Sequence, residues 1–173
     1  MPHSENPPQD RFDAAPVGDV RNAEMAEIEH LAGLWHSGWQ DAHAAILPAE
    51  LSRYRTPASF RQRIIDNLAL TRVSGPLGNP SGLCMIKHDE LYQLFVAPAA
   101  RGSGTAAALL ADGERRIAAS QITTAWLACA IGNERAARFY EKHGWKRAGQ
   151  MTNRLPTPDG IFELEVWRYE KRL

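Results

Sequence analysis

The segment Leu94–Ala106 joins an apolar strand to a helix through a loop that contains two glycines. Pro98 ends the strand, and Gly102 and Gly104 tolerate backbone conformations that other residues resist. The first N–H groups of the helix that follows have no partner within the helix, and the helix dipole adds partial positive charge there. The segment therefore predicts an α/β arrangement with a phosphate or pyrophosphate site at the helix start, beside the Arg101 cation.

Three interpretations of this glycine loop compete. A P-loop needs a Lys directly after its last glycine, and no Lys occurs between residues 87 and 142, which excludes it. A dinucleotide fingerprint is matched in form by Gly102, Gly104 and Ala107. That fingerprint also needs an acidic residue about 20 positions further on, and residues 115–133 contain no Asp or Glu. The third interpretation, an ordinary strand-to-helix turn, is not excluded by the loop alone.

A second segment strengthens the case for a ligand site. Asn133, Ala136 and Tyr140 share one face of a predicted helix, so an amide and a phenol point the same way. The helix begins directly after a buried strand, and α/β sheets usually bind ligands where such strands end. Each of these residues alone has a structural explanation, but their combination with the glycine loop favours a functional one.

The remaining pattern predicts an α/β or α+β domain with one mixed sheet. Asp19 is predicted to cap a first helix that continues to about residue 39, and Thr56 with Pro57 begins a second. Further helices are predicted over residues 104–117 and 133–143, and strands over 70–73, 83–86, 91–96, 122–131, from 145 and over 161–169. Residues 1–10 are predicted to be a flexible tail and residues 11–173 one domain, in which residues 11–15 are a weak strand candidate.

Composition excludes several classes of protein. The 173 residues carry 20 Lys+Arg and 20 Asp+Glu, and a zero net charge disfavours a nucleic-acid partner. Two cysteines, Cys84 and Cys129, are too few for a disulfide framework or a thiolate zinc site. The six His residues show no clustered spacing, so no metal is expected. No 18-residue apolar run occurs, so we expect a cytoplasmic protein without a membrane partner.

Together, the loop and the second helix resemble the GCN5-related N-acetyltransferase (GNAT) family. Arg101, Gly104 and Ala106 match the family's acetyl-CoA loop, Arg/Gln-x-x-Gly-x-Gly/Ala. The segment NERAARFYEKHGW, residues 133–145, matches the family helix that follows it. The resemblance extends loosely over residues 10–172 and implies a GNAT fold, with a mixed sheet of about seven strands and about four helices.

The resemblance implies transfer of an acetyl group from acetyl-CoA directly to an amine of unknown identity. Tyr140 would be the general acid that protonates the departing CoA thiolate, since a phenol stays protonated at neutral pH. Asn133 would orient the pantetheine arm or the leaving sulfur, and Ala136 and Tyr140 would also contact the cofactor. Backbone groups would supply the other cofactor contacts, from Leu94, Phe95 and Val96 to the pantetheine and from Arg101, Gly102, Ser103, Gly104, Thr105 and Ala106 to the pyrophosphate.

The general base is less clearly marked. Glu90 lies six residues before Val96, where the family often has a carboxylate that acts directly or through water. A solvated carboxylate in a hairpin is the other interpretation of Glu90. His88 is a second candidate, whereas the amide of Gln93 cannot remove a proton. An acceptor amine of low pKa would need no base.

The acceptor side rests on two aromatic residues. Trp35 and Trp39, four residues apart on the first helix, could form an aromatic wall for an amine, although core packing also explains such a pair. Cys129 is predicted to be a buried thiol rather than a nucleophile. The chain is expected to be a monomer or a homodimer. A non-catalytic acyl-CoA-binding or regulatory module on the same fold is the alternative function.

Overall fold

The structure, a computed structural model that describes residues 19–173, contains a seven-stranded sheet in the order β1-β2-β3-β4-β5-β7-β6. The strands are β1 (Val20–Asn22), β2 (Thr71–Ser74), β3 (Gly82–Lys87), β4 (Glu90–Val96), β5 (Thr124–Ala130), β6 (Lys146–Thr157) and β7 (Gly160–Arg172). The helices are α1 (Ile28–His43), α2 (Ala49–Ser52), α3 (Pro57–Asn67), α4 (Thr105–Ala119) and α5 (Glu134–Lys142). The predicted mixed sheet is confirmed. The predicted tail and the strand candidate at residues 11–15 lie outside the described residues.

Two apolar clusters hold the helices on opposite faces of the sheet. One includes Leu31 and Trp35 of α1 with Phe60 and Ile64 of α3. The other joins α4, α5 and the opposite face of the strands, and its buried members include Leu109. β4 and β5 form the only parallel pair in the described sheet, and they separate the antiparallel β1–β4 half from the β5–β7–β6 half. None of the helices within residues 19–173 is long and apolar enough to cross a membrane.

Several predicted helix boundaries are confirmed because the signals that set them are local. The Thr56 side chain accepts a hydrogen bond of 3.2 Å from the Ser59 N–H, and Pro57 occupies the first helical position of α3. Near the end of α5, Gly144 lies two residues after the last helical residue with φ +86°, a conformation that glycine adopts without strain.

The prediction that Asp19 caps the first helix is wrong. Residues 20–22 instead form strand β1, and a 3-10 turn at Met25–Glu27 leads into α1. Glu24 and Glu27 form a capping box at this start, in which the Glu27 carboxylate accepts from the Glu24 N–H at 2.9 Å. Pairing of β1 with β2 overrides the local cap signal at Asp19.

Glu27 is fully buried and anchors the N-terminal segment to the turn between β2 and β3. Its two carboxylate oxygens accept from the Arg21 guanidinium at 2.6 and 2.9 Å, and the Gly78 N–H donates to it at 3.0 Å. The hydrogen bond from Arg21 lowers the pKa of Glu27 to about 2, against the opposing effect of burial. The ionised carboxylate is therefore the form that the fold stabilises.

Replacing Glu27 with Ala is expected to lower the free energy of unfolding by about 3–5 kcal/mol, because Arg21 then loses its buried partner. Urea unfolding at pH 7 measures the loss. Glu29→Ala is the control, because Glu29 forms an exposed ion pair with Arg61 and its removal should cost about 0.5 kcal/mol or less. The folded pKa of Glu27 lies below its unfolded value, so this stabilisation is complete above about pH 4.5 and disappears toward pH 2. If Glu27→Ala and Glu29→Ala lost the same unfolding free energy at pH 7, the buried ion pair between Glu27 and Arg21 would not be the stabilising contact described here.

Candidate functional site

A cavity of about 530 Å³ opens where β4 and β5 separate. The two strands are in register at one pair only, Glu90 with Trp126. The lining residues are Gly38, Ala42 and His43 of α1; 91–96 of β4; 100–102, 104, 106 and 107 of the glycine loop and the start of α4; 128–130 of β5; and Asn133, Arg135, Ala136, Phe139, Tyr140, Lys142 and His143 in and around α5.

The facing edges of β4 and β5 give the cavity backbone hydrogen-bonding groups. Beyond the pair of Glu90 and Trp126 these edges form no ladder with each other, while β3 and β7 pair with their outer edges. A bulge adds Tyr92 to β4, because Leu91 pairs with Ile86 and Gln93 with Met85. An extended ligand with amide groups can therefore pair with strand edges that would otherwise lack partners. The predicted contacts at Leu94, Phe95 and Val96 line this gap, two to four residues after the bulge.

The glycine loop forms one end of the cavity. Gly102 has φ +77° and Gly104, the N-cap of α4, has φ +91°, and both line the cavity with Arg101 and Ala106. Ser103 and Thr105 do not line it. The Ser103 hydroxyl donates to the Ala100 carbonyl at 2.6 Å and lies 2.8 Å from the Thr105 hydroxyl, so their side chains stabilise the loop. The Thr105 N–H donates to the Ser103 hydroxyl at 3.4 Å, and the next two N–H groups, of Ala106 and Ala107, precede the first intrahelical bond and can serve an anion.

Arg101 has a protein partner that the sequence does not predict. Its guanidinium donates to Asp41 at 2.7 Å, and Arg135 at the start of α5 donates to the same carboxylate oxygen at 2.8 Å. Hydrogen bonds from Arg135 and Arg101 lower the pKa of Asp41. These ion pairs connect α1, the glycine loop and α5 around the cavity.

Asn133 and Tyr140 both line the cavity, as the helical spacing implies. The Asn133 side chain accepts from the Ala136 N–H at 3.2 Å and caps α5, which leaves its amide N–H groups for a ligand. The Tyr140 ring packs edge-on against Phe139 and Trp145, and burial raises its pKa above the usual value. The Tyr140 hydroxyl has no hydrogen-bond partner among residues 19–173. Tyr140 therefore contributes a protonated phenol to the cavity lining, and this phenol can donate a hydrogen bond.

Cys129 lies beside Tyr140 in the cavity wall and is buried. Burial raises the pKa of its thiol to about 12, so the thiolate is scarce at neutral pH. Its weak contacts are to the carbonyls of Ala130 and Asn133. Cys84 is buried in the same core, with a pKa that burial also raises to about 12.

Glu90 lies at the first residue of β4 and does not itself line the cavity. It is half-buried, and burial raises the pKa of its carboxyl to about 7; Asp89 raises it slightly, and Lys87 and Arg168 oppose this. Its chain neighbours Leu91 and Tyr92 do line the cavity. His88, the other base candidate, is an exposed turn residue with φ +53°.

Trp35 and Trp39 do not form the aromatic wall that the sequence suggested. Trp35 is fully buried and packs edge-on against Phe60 at 5.3 Å between ring centroids, and Trp39 is buried beside it. Neither residue lines the cavity, because the α1 positions that do so are Gly38, Ala42 and His43. The two indoles instead fix α1 to α3 through the core.

His43 is the lining residue whose role sequence reasoning missed. Its ring packs against Trp39 at 5.5 Å and Phe95 at 6.3 Å. Burial, with a smaller contribution from the Arg55 charge, lowers the pKa of His43 to about 4, so the imidazole is neutral at pH 7. No local sequence signal marks it. The small residues Ala128 and Ala130 in β5 are a signal that could have been used, since they leave space beside β4.

Comparisons with known proteins give a family match and many similar folds. Residues 76–145 match the family model described as the acetyltransferase (GNAT) family. No curated protein matches the chain by sequence. A GCN5-related N-acetyltransferase from Rhodopseudomonas palustris has a similar structure, with 20% identity, a TM-score of 0.69 and coverage of 90% of this chain and 96% of that chain.

Two further structures share the fold. PaiA N-acetyltransferase from Thermoplasma acidophilum, solved in complex with coenzyme A, has 17% identity, a TM-score of 0.66 and coverage of 90% and 98%. Ribosomal-protein-alanine N-acetyltransferase from Brucella melitensis has 16% identity, a TM-score of 0.60 and coverage of 89% and 99%. In each pair of coverage values, the first is the share of this chain and the second the share of the similar protein. At these identities the similarity establishes the fold.

Proposed function

We propose that this chain, of which residues 76–145 match the acetyltransferase (GNAT) family model, is a GNAT acetyltransferase that transfers the acetyl group of acetyl-CoA directly to the amine of an acceptor. The observation that carries this proposal is one cavity that holds three features together. These are the glycine loop at a helix start, the unpaired edges of two diverging parallel strands, and the Tyr140 hydroxyl. An acyl-CoA has a pyrophosphate, an amide-containing arm and a thioester, which need these three kinds of contact in that order.

Acetyl-CoA fits the residues that surround the cavity. The pyrophosphate would accept hydrogen bonds from the N–H groups of Gly102, Gly104 and Ala106, at the positive end of the 15-residue helix α4, because the N–H groups of Arg101, Ser103 and Thr105 donate within the loop. The pantetheine amides would pair with the facing edges of β4 and β5, and the Asn133 amide would donate to the same arm. The structural relative from Thermoplasma acidophilum that is described in complex with coenzyme A supports this choice of cosubstrate.

The proposed reaction begins with the loss of a proton from the acceptor ammonium, since only the free amine is a nucleophile. Glu90 would take this proton through water, and a carboxyl with a pKa of about 7 is well suited to that task at neutral pH. The amine nitrogen then forms a bond to the thioester carbon, and backbone N–H groups of β4 stabilise the negative charge on oxygen. The C–S bond breaks as the thiolate takes the Tyr140 proton, and the second proton of the amine nitrogen passes to the resulting Tyr140 phenolate, so that the CoA thiol and the neutral acetylated acceptor leave.

The environment of Cys129 favours direct transfer over an acetyl-enzyme intermediate. A thiol with a pKa of about 12 is a poor nucleophile at neutral pH, and its contacts are carbonyl oxygens rather than a base.

Cys129→Ala is therefore expected to retain acetyl transfer within a few-fold of the wild-type rate. Mass spectrometry of the wild-type protein incubated with acetyl-CoA should find no acetyl group on Cys129. Cys84→Ala, which removes a buried thiol outside the cavity lining, is the control for lost core packing. An acetylated Cys129 together with a large loss of rate in Cys129→Ala alone would contradict direct transfer.

The proposed function is tested by release of free CoA thiol over a panel of amines and peptide N-termini, with acetyl-CoA binding measured in parallel by calorimetry. Turnover with at least one amine supports the enzyme. Tight binding of acetyl-CoA without turnover across the panel would instead support a non-catalytic acyl-CoA-binding or regulatory module. The domain boundary at residue 11, the cytoplasmic location and a monomeric or homodimeric state stay predictions.

A further inference from the structure

Among the described residues of the cavity lining, His43 is the one α1 residue whose side chain can form hydrogen bonds. It is the last residue of α1 and lines the cavity together with Gly38 and Ala42, which present no side chain and a methyl group. Gly38 lets this helix approach β4 closely, because a Cβ atom there would lie 2.6 Å from Cδ1 of Phe95. The α1 wall, defined as Gly38, Ala42 and His43, therefore packs against Phe95 and offers one polar side chain to a ligand.

The two ring nitrogens of His43 have different surroundings. Nδ1 is buried and has no hydrogen bond of good geometry. Burial lowers the pKa of the imidazole to about 4, and the Trp39 carbonyl one turn earlier opposes this effect, as a nearby acceptor for the Nδ1 proton does. Nε2 also has no hydrogen-bond partner within residues 19–173, but it is not buried. The neutral ring with its proton on Nδ1 therefore leaves the Nε2 lone pair free for a donor from a ligand.

The α1 wall lies on the side of β4 that acetyl-CoA would leave open. Side chains alternate along β4, so that Leu94 and Val96 pack with the α4/α5 cluster while Phe95 packs with the α1/α3 cluster. The His43 ring lies 6.3 Å from the Phe95 ring and thus on the α1/α3 face. The glycine loop and Tyr140, which would contact the cofactor, belong to the α4/α5 face. An acceptor that approaches the thioester from the open side therefore passes the α1 wall.

The charge of the cavity lining restricts the acceptor further. None of the lining residues, all of which lie within residues 19–173, is an Asp or a Glu, whereas Arg101, Arg135 and Lys142 are cations. Asp41, which pairs with the two arginines, lies outside the lining. The reacting amine loses its charge before it attacks, but a second ammonium group within the cavity would have no carboxylate partner. The lining thus favours an acceptor with a single amino group.

We propose that the acceptor is a monoamine that enters past the α1 wall and donates a hydrogen bond from its reacting nitrogen to Nε2 of His43. This inference rests on the proposed acetyltransferase function and adds the acceptor class to it. The hydrogen bond directs one N–H of the free amine toward α1, so that the nitrogen lone pair can point at the thioester carbon in the gap between β4 and β5. The neutral imidazole orients the amine, and Glu90 keeps the role of base.

His43→Phe tests the hydrogen bond, because this substitution keeps a ring against Trp39 and Phe95 and removes both nitrogens. KM for the acceptor is expected to rise by about 10-fold, while KM for acetyl-CoA stays nearly unchanged. His43→Gln should recover part of the loss, since its amide oxygen can accept the same hydrogen bond.

His36→Phe is the matched control for His43→Phe. His36 lies on the same helix, its ring centroid is 5.5 Å from that of Phe60, and it does not line the cavity. The control should therefore leave the acceptor KM unchanged. An unchanged acceptor KM in His43→Phe, or an equal rise in His36→Phe, would overturn the proposal.

Matched amines test the acceptor class in the wild-type protein, without any substitution. For every active monoamine in the panel, an analogue with one additional primary amino group is assayed for CoA release, for example diaminobutane against butylamine, and spermidine is added as a longer polycation. We expect a preference for the monoamine of about 10-fold or more in kcat/KM, because only the diamine brings a second ammonium group into the cavity. Equal or faster acetylation of the diamines or of spermidine would overturn the proposal.

A spectroscopic readout separates amine binding from a structural role of His43. Nitrogen NMR is recorded on protein with isotope-labelled histidine side chains, saturated with CoA. Addition of an active monoamine is expected to shift the Nε2 resonance of His43, which is assigned by its absence in His43→Phe, and to leave the His36 resonances in place. A His43 resonance that responds to no amine of the panel would overturn the inference.

Failure of the acetyltransferase function would be recognised separately, as absence of CoA release with every amine. The NMR experiment needs no turnover, so in that case it still tests the amine site, with butylamine as the probe. A shift of the His43 Nε2 resonance that is absent with an uncharged alcohol of the same length supports the site, and no shift overturns it.

Discussion

Tyr140→Phe is expected to lower kcat for acetyl transfer by about 10²- to 10⁴-fold, the usual contribution of a general acid. The substitution removes only the hydroxyl, which faces the cavity and has no hydrogen-bond partner among the described residues, so the fold loses little. Because the ring remains, acetyl-CoA affinity should change by only a few-fold. Stopped-flow or steady-state release of CoA thiol measures kcat, and calorimetry measures acetyl-CoA binding.

Tyr169→Phe is the matched control for this substitution. The Tyr169 hydroxyl donates to Glu141 at 2.8 Å and accepts from Arg147 at 3.0 Å, and Tyr169 lies outside the cavity lining. Loss of the Tyr169 hydroxyl should lower the free energy of unfolding but leave kcat nearly unchanged. Burial raises the pKa of Tyr140, so the acid stays protonated at alkaline pH and the rate should not fall there through its ionisation. A Tyr140→Phe variant with wild-type kcat would exclude the general-acid role.

Glu90→Gln is expected to lower kcat/KM at pH 8 by about 100-fold and to change the shape of the pH profile. A general base acts when deprotonated, and burial raises the pKa of Glu90 to about 7. The wild-type rate should therefore rise with pH up to about 7 and level off above it, whereas the variant should lack this step. Profiles of kcat/KM for both proteins, with one acceptor at constant ionic strength, make the comparison.

Asp89→Asn is the control for local charge near Glu90. The Asp89 carboxylate accepts from the Trp126 indole N–H at 3.1 Å, and an Asn oxygen can preserve that bond. Because Asp89 raises the pKa of Glu90, its neutralisation should move the step to lower pH without abolishing it. A step that persists unchanged in Glu90→Gln would instead assign it to the acceptor amine and exclude Glu90 as the base.

The same pKa shift has a consequence for stability. The folded pKa of Glu90 lies above its unfolded value, so the folded state binds this proton more tightly and stability decreases as pH rises from about 4.5 to 7. Glu90→Gln should accordingly have a higher thermal midpoint than the wild-type protein at pH 8 and a similar one near pH 4. This gain in stability with a loss of rate would distinguish a functional carboxylate from a structural one.

Much of the candidate site was predictable from local patterns. Gly102 and Gly104 adopt positive φ because the loop must turn from β4 into α4, and the spacing of Asn133 and Tyr140 on α5 brings both to one cavity. Prediction failed where distant partners decide the outcome. A helical wheel does not distinguish a Trp that faces a ligand from one that packs against α3, so the spacing of Trp35 and Trp39 could not decide between the two. Asp19 does not cap a helix because the residues directly after it form β1, which pairs with the distant strand β2.

The sequence by itself determined the order of strands and helices from α3 onward, the glycine loop at a helix start and the helix that carries Tyr140, because caps, turns and periodicity depend on neighbours within a few residues. Only the tertiary structure decided which groups surround the glycine loop. It separates β4 from β5 beside the loop, links Arg101 through Asp41 to Arg135, and partly buries Glu90. The physical reason is that desolvation and ion pairing depend on residues that are distant in the chain and become neighbours only when the sheet and its helices pack.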